Sequence, residues 1–283
     1  MLVRKLSLFL SYCRSECSFS HHTCSAYESD LKQFFSVSKF DESDSLSLYY
    51  NWVSNQGFAP KTIHRKLACL RSFFQFCIRE GYCEAGILLE IPRYSVPVRL
   101  PYVLDAHVID RLLTFPDVST KKGLRDRVLL ELLYSTGIRV SECVFLKPSH
   151  IDFVDGVISV LGKGHKQRLI PLTTRSQHFL SLYLSEFNDQ TWLFQVSSKK
   201  SFSRFTVYSI VKRYVDRMSQ DVSISPHSFR HAFATHLLEG GARLRDVQLL
   251  LGHRHLSSSQ VYSHVATSTI KNKFLQAHPR GMA

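Results

Sequence analysis

The chain has 283 residues, 44% hydrophobic and 21% charged, with only 12 Gly and 9 Pro, a profile that buries a core and excludes disorder as the main state. The length is about two domains' worth. Lys and Arg number 36 against 23 acidic residues, a formal excess of +13, so the expected partner is a polyanion, with nucleic acid ahead of an anionic membrane surface.

No apolar run approaches the roughly 18–20 residues needed to cross a bilayer. The opening stretch runs from Leu2 into Arg14 and Glu16 without a small-residue cleavage site, so it reads as a first helix rather than an export signal. Its apolar face is Leu2, Leu6, Phe9, Leu10, Cys13 and Cys17, with Arg4, Lys5 and Arg14 outside it. Seven cysteines, six of them within the first 83 residues, make a poor disulfide framework. A reducing cytoplasm fits them better. Cys13, Cys17, His21, His22 and Cys24 have a spacing that could hold zinc, but thiols on an apolar helix face are more simply core residues.

Tyr27, Leu31, Phe34 and Phe35 mark a second helix, and Leu46, Tyr49, Tyr50, Trp52 and Val53 a third. After Pro60 a fourth helix packs Ile63, Leu67, Leu70, Phe73, Phe74 and Cys77 on one side. Its other side carries Lys61, His64, Arg65 and Arg71, a basic face suited to DNA phosphates. Residues 92–101 hold three prolines and no helical period, so they read as a linker between a helical domain at 1–91 and a second domain at 102–283.

In the second domain Asp105 is placed to cap a helix, and a longer one follows with Leu124, Val128, Leu129, Leu132 and Leu133, stopped by Gly137. Residues 157–161 and 168–170 are β-type runs around a glycine-bracketed turn, Gly162–Lys163–Gly164. Helical patterns resume at 179–184, 205–215, 229–238, 244–251 and from 261 onward. The expected fold is mainly α with a small antiparallel β-sheet.

Four separated segments place a cation or a proton-transfer group at a helix end or tight turn. Arg139 stands just past Gly137, where a planar guanidinium can grip a phosphate through two hydrogen bonds. Lys163, at a hairpin tip, can donate a proton to a leaving oxygen. In a helix starting near Pro226, His227, Arg230 and His231 share one face beside a dipole end that attracts anions, with Phe229, Phe233, Leu237 and Leu238 on the buried side. Gly252 ends a helix in the left-handed conformation and turns His253 out of its path, and Ser257, Ser258 or Ser259 can cap a further helix carrying Tyr262. Each piece alone has a bland reading: a surface arginine, an edge-strand lysine, a half-buried tyrosine. The set in order is far more specific than any member.

That set resembles the tyrosine recombinases of the phage integrase family, most closely the Xer group, over essentially the whole chain. Arg139 matches an arginine in a TG-x-R-x-SE context, Lys163 the lysine of a GKG-x-K-x-R hairpin, and His227, Arg230 and His231 a His-x-x-Arg-His motif. His253 matches LGH, with Tyr262 nine positions later. Glu142 and His231 correspond to supporting positions, and residues 277–283, AHPRGMA, resemble the Xer terminus. The chain departs from the pattern in GYCEAGILLEIP before the linker, which lacks an Asn-Pro pair, and at His165 in the turn.

The resemblance implies a helical core-binding domain and an α+β catalytic domain closing around duplex DNA. Tyr262 is then the nucleophile that forms a 3′-phosphotyrosyl bond, Arg139 and Arg230 clamp the phosphate, His227 and His253 assist, and Lys163 protonates the 5′ oxygen. It further implies a tetramer, homomeric or with a related recombinase, exchanging strands through a Holliday junction. It points to chromosome dimer resolution, with a DNA translocase of the division site as a further partner and a mobile-element integrase as the alternative. The amphipathic tail, with Ile270, Phe274 and Leu275, would dock into a neighbour or pack on its own domain. No cofactor is expected: the constellation is cationic, whereas a two-metal nuclease needs clustered carboxylates. From a different class, a DNA-binding structural factor would lack the arginine or the tyrosine, and neither is missing.

Overall fold

A computed structural model describes residues 2–17, 19–38, 45–96, 103–162, 167–187, 190–198, 200–218, 224–252 and 264–281. The chain divides into two compact units, Met1–Leu100 and Pro101–Ala283, each with its own hydrophobic core.

The first unit is helical: α1 (Leu2–Ser15), α2 (His21–Val37), α3 (Ser45–Asn55), α4 (Pro60–Arg79) and the single turn α5 (Ile87–Glu90). Ser20 caps α2 by accepting from the Thr23 backbone N–H, and Pro60 opens α4 with the φ a first turn needs. Phe9, Phe34, Tyr49, Phe73 and Phe74 are fully buried, with edge-on ring pairs between Phe9 and Phe73 (5.3 Å) and between Phe34 and Tyr49 (5.2 Å). The expected apolar face of α1 from Leu6 to Cys13 and that of α4 are buried, and α4 encloses Lys66, Cys69 and Phe76 as well; two residues in and just after α1 depart from the expectation. Lys5 is buried, its ammonium 5.1 Å from the centre of the Tyr82 ring in the turn that follows α4. Cys17 is only half-buried while Cys13 is fully enclosed, since α1 ends at Ser15.

The second unit centres on α7 (Lys121–Thr136), buried along nearly its whole circumference and capped by Thr120. Before it lies α6 (Ala106–Thr114), whose cap is the Asp105 side chain on the His107 N–H. After α7 come the single turn α8 (Val140–Cys143) and a three-stranded antiparallel sheet in the order β1-β2-β3: β1 (Ile151–Asp152), β2 (Val157–Leu161) and β3 (Gln167–Pro171). Ile158 pairs with Ile170 and Leu161 with Gln167. Next are α9 (Thr174–Glu186), a two-stranded ribbon of β4 (Gln195–Ser197) and β5 (Lys200–Ser201), α10 (Arg204–Val215), α11 (Pro226–Glu239), α12 (Leu244–Leu251) and α13 (His264–Ala277). The fold is mainly α with small antiparallel sheets, as expected, although β1 and the ribbon carry too few apolar residues to show as runs.

Two features of this unit position the site. Gly137 ends α7 at φ +58, and a Cβ there would come 2.5 Å from the Phe233 ring of α11. Only glycine satisfies both the left-handed turn and that approach. On α11, Phe229, Ala232, Phe233, His236 and Leu237 face the core, whereas Leu238 is 41% exposed and not on the buried side as its sequence suggested. Leu238 lies one position off the stripe that His236 completes by hydrogen bonding Tyr134.

Candidate active site

Three arginines from distant parts of the second unit meet at the end of α12. The last carbonyls of any helix lack intrahelical partners and carry the negative end of its dipole, so they attract donors with positive charge. Here three consecutive carbonyls are taken in turn. Leu250 O accepts from Arg168 Nε at 2.8 Å, Leu251 O from Arg230 Nη2 at 2.7 Å and Gly252 O from Arg139 Nη2 at 3.5 Å. Gly252 makes this possible at φ +66 by turning the chain away after the last helical residue.

Glu142 is the hub on the opposite side. It stands at the third position after Arg139, and its Oε2 accepts the Arg139 backbone N–H at 2.8 Å while Oε1 accepts Arg139 Nη1 at 2.9 Å. Arg168 grips both oxygens of the same carboxylate, at 3.0 and 2.8 Å. Burial alone would push the Glu142 carboxyl up; Arg168, and then Arg139, more than offset this and hold it below the usual carboxylate range. Arg230 is anchored on the other flank by Nη1 to Gly137 O at 2.6 Å. Burial, followed by the charge of Arg139, draws its guanidinium down to about 10, which leaves it protonated at neutral pH. Three guanidiniums against one carboxylate leave this cluster with two positive charges, held in place before an anion arrives.

Of the residues singled out in the sequence, Arg139, Glu142 and Arg230 are brought together. His227 and His231 lie on α11 with Arg230, His227 exposed and 6.5 Å between ring centres from Tyr208, His231 half-buried. Lys163, His253 and Tyr262 lie outside the described residues. Arg168 was given no role by the sequence reading, which had it as the start of a β-type run and the last position of the GKG-x-K-x-R motif. The signal was there: Arg168 is in phase with the core residue Ile170 two positions on, and a charge on the buried face of a strand requires a buried partner.

On α4, Lys61 and His64 are exposed. Arg65 is ion-paired with the buried Asp30, which also holds Lys66 at 2.9 Å, and Arg71 Nη2 donates to Ile91 O at 3.1 Å. Two of the four basic residues of that face are therefore partly engaged within their own unit. Among the described residues no group of three or more His, Cys, Asp or Glu is gathered to hold a metal ion, and no helix is long and apolar enough to cross a membrane.

Comparison with known proteins accounts for both units. Residues 102–269 match the phage integrase family, and residues 6–81 match the phage integrase N-terminal SAM-like domain. Tyrosine recombinase XerD of Staphylococcus haemolyticus is 34% identical over 96% of this chain and 97% of that protein. Tyrosine recombinase XerC of Oceanobacillus iheyensis is 36% identical over 97% of this chain and 96% of its own length. Among solved structures, a lambda integrase tetramer bound to a Holliday junction shares the fold, with a TM-score of 0.72, 18% identity, and coverage of 93% of this chain and 80% of that one. The chain belongs to the phage integrase family of tyrosine recombinases, in its Xer group, and is an enzyme of site-specific DNA strand exchange.

Proposed function

We propose that this recombinase cuts duplex DNA with Tyr262 and that the arginine cluster at the end of α12 receives the scissile phosphate. The observation that carries the reading is the convergence of Arg139 and Arg230, 91 positions apart, on adjacent carbonyls of one helix end. A phenol has a pKa of about 10 and the attacked diester is already anionic, so the reaction requires charge neutralisation as the phosphorane forms. Arg139 and Arg230 supply it at the non-bridging oxygens. His227 and His253 add hydrogen bonds and accept the tyrosine proton, and Lys163 protonates the departing 5′ oxygen. Glu142 holds Arg139, and His231 supports the same helix face. The phosphotyrosyl ester conserves the bond, so a 5′-hydroxyl of another strand reverses the attack without ATP.

Lys61, His64 and Arg65, with Arg71 beside them, face phosphates from the first unit. The assembly is a tetramer on two sites, exchanging strands through a Holliday junction, homomeric or shared with a related recombinase. Its role is resolution of chromosome dimers in the cytoplasm, with a DNA translocase of the division site as a further partner. Supporting the Xer role over a mobile-element integrase are the 34% and 36% identities to Xer recombinases across nearly the whole chain, against 18% to lambda integrase.

The test uses a nicked duplex carrying a site recovered by binding selection from a random library. The native chain is expected to form a denaturant-stable covalent adduct and Tyr262→Phe none. An adduct persisting in Tyr262→Phe would remove the nucleophile; none from the native chain would favour a DNA-binding structural factor.

A further inference from the structure

We propose that Arg168 is a positioning residue for strand cleavage: without touching DNA, it holds Glu142 and the end of α12 so that the Arg139 guanidinium stays aligned for the scissile phosphate. This rests on the reading of Arg139 given above. Arg168 is 6% exposed, on the inward face of β3, and a buried guanidinium is tolerated only when its donors are satisfied. It uses its planar fork on two different elements, with Nη1 and Nη2 on Glu142 and Nε on Leu250 O.

The consequence falls on Arg139. A carboxylate offers about four lone-pair sites. In Glu142 Oε1 serves Arg139 Nη1 and Arg168 Nη1, and Oε2 serves the Arg139 backbone and Arg168 Nη2. The carboxylate is saturated and cannot turn. On the far side, the Arg168 side chain packs against Gly252, where a Cβ would lie 3.2 Å from its Cδ, and Gly252 O accepts from Arg139. Both groups that orient the Arg139 guanidinium are therefore held by Arg168. Removing Arg168 would free Glu142 to pair with Arg139 alone and would halve the positive charge of the cluster.

The experiment measures single-turnover adduct formation on the selected nicked duplex, with either the natural diester or a methylphosphonate at the scissile position. The methylphosphonate replaces one non-bridging oxygen by methyl and carries no charge to neutralise. Arg168→Met is expected to slow cleavage of the diester about 10²-fold, the scale of a small misplacement of a clamping group, with DNA affinity nearly unchanged. On the methylphosphonate the loss should shrink markedly, as it should for Arg139→Ala. Arg168→Lys keeps a charge against Glu142 but cannot hold both oxygens and Leu250 together. It is expected to show a smaller loss with the same relief, and it keeps the test alive if Arg168→Met does not fold by thermal melting. Equal losses on the two substrates, or a native rate in either folded variant, would overturn the proposal. Arg139→Ala separates the two levels: relief there without relief at Arg168 removes only the role of Arg168, whereas no relief at Arg139 removes the phosphate clamp and this proposal with it.

Discussion

Arg230 donates its two terminal nitrogens to the carbonyls of Gly137 and Leu251, which makes its guanidinium a fixed object rather than a solvated, mobile one. A guanidinium has five N–H donors, so two such bonds set its plane while others can meet an anion. The position of Gly137 O thus bears directly on the chemistry. Replacing Gly137 with alanine should cost at least about 1–2 kcal/mol for a side chain in the left-handed region, with further loss from the overlap with Phe233. Urea denaturation measures the stability loss, and the adduct assay should show a fall in rate beyond it because Arg230 is displaced. A stable, fully active Gly137→Ala would refute this anchoring. Arg139 was legible as a site residue because a cation follows a helix stop, and Arg230 because it shares the opening face of a helix with His227 and His231; the role of Arg168 was hidden because strand periodicity assigns it to the core without naming its partner.

The tail of the second unit docks on α7 and α11. Phe274 is buried against Phe233 and His278, and Arg280 bridges Glu131 at 2.8 Å and Asp110 at 2.5 Å. In this chain the amphipathic tail packs on its own unit, one of the two placements its sequence allowed. His278 is enclosed by Tyr134, Phe233, Phe274, His236 and Arg280, and its Nδ1 accepts the Arg280 backbone N–H at 3.1 Å. Burial, together with the charge of Arg280, draws its imidazole down to about 3. Above an unfolded-state value near 6.5 both states are neutral, so stability is independent of this group. As pH falls below that, the unfolded chain takes up the proton and the folded one does not. Stability should then drop by up to about 1.4 kcal/mol per pH unit until the folded value is reached. Urea titrations of the native chain and His278→Gln at pH 7, 6 and 5, above most of the carboxylate range, would show it. The native chain should lose more stability over that interval than the variant, and parallel losses would refute the assignment.

Each unit closes its own core, and the excess of basic residues is a property of the whole chain. Binding to duplex DNA should weaken steeply with salt, because each neutralised phosphate releases a counterion. A flat dependence would count against the proposed clamp. Lys61, exposed at the start of α4, should contribute to that slope, so Lys61→Ala is expected to reduce it by about 1. Arg71→Ala, which removes the Nη2 donor to Ile91 O, should instead lower the melting temperature of the first unit. Filter binding across a salt series, with melting curves for each variant, distinguishes the two.

Taken alone, the sequence determined the helical class, the apolar faces, the Gly137 and Gly252 stops and the family motifs. These are local properties: a periodicity, a cap or a left-handed residue is decided within a few positions of chain. Tertiary structure alone decided that Lys66 would be buried against Asp30, that Arg65 and Arg71 would be engaged inside their own unit, and that Arg168 would join Glu142 to the end of α12. These pairs depend on partners dozens of residues away, and no spacing rule encodes which distant carboxylate or carbonyl such a buried cation will meet.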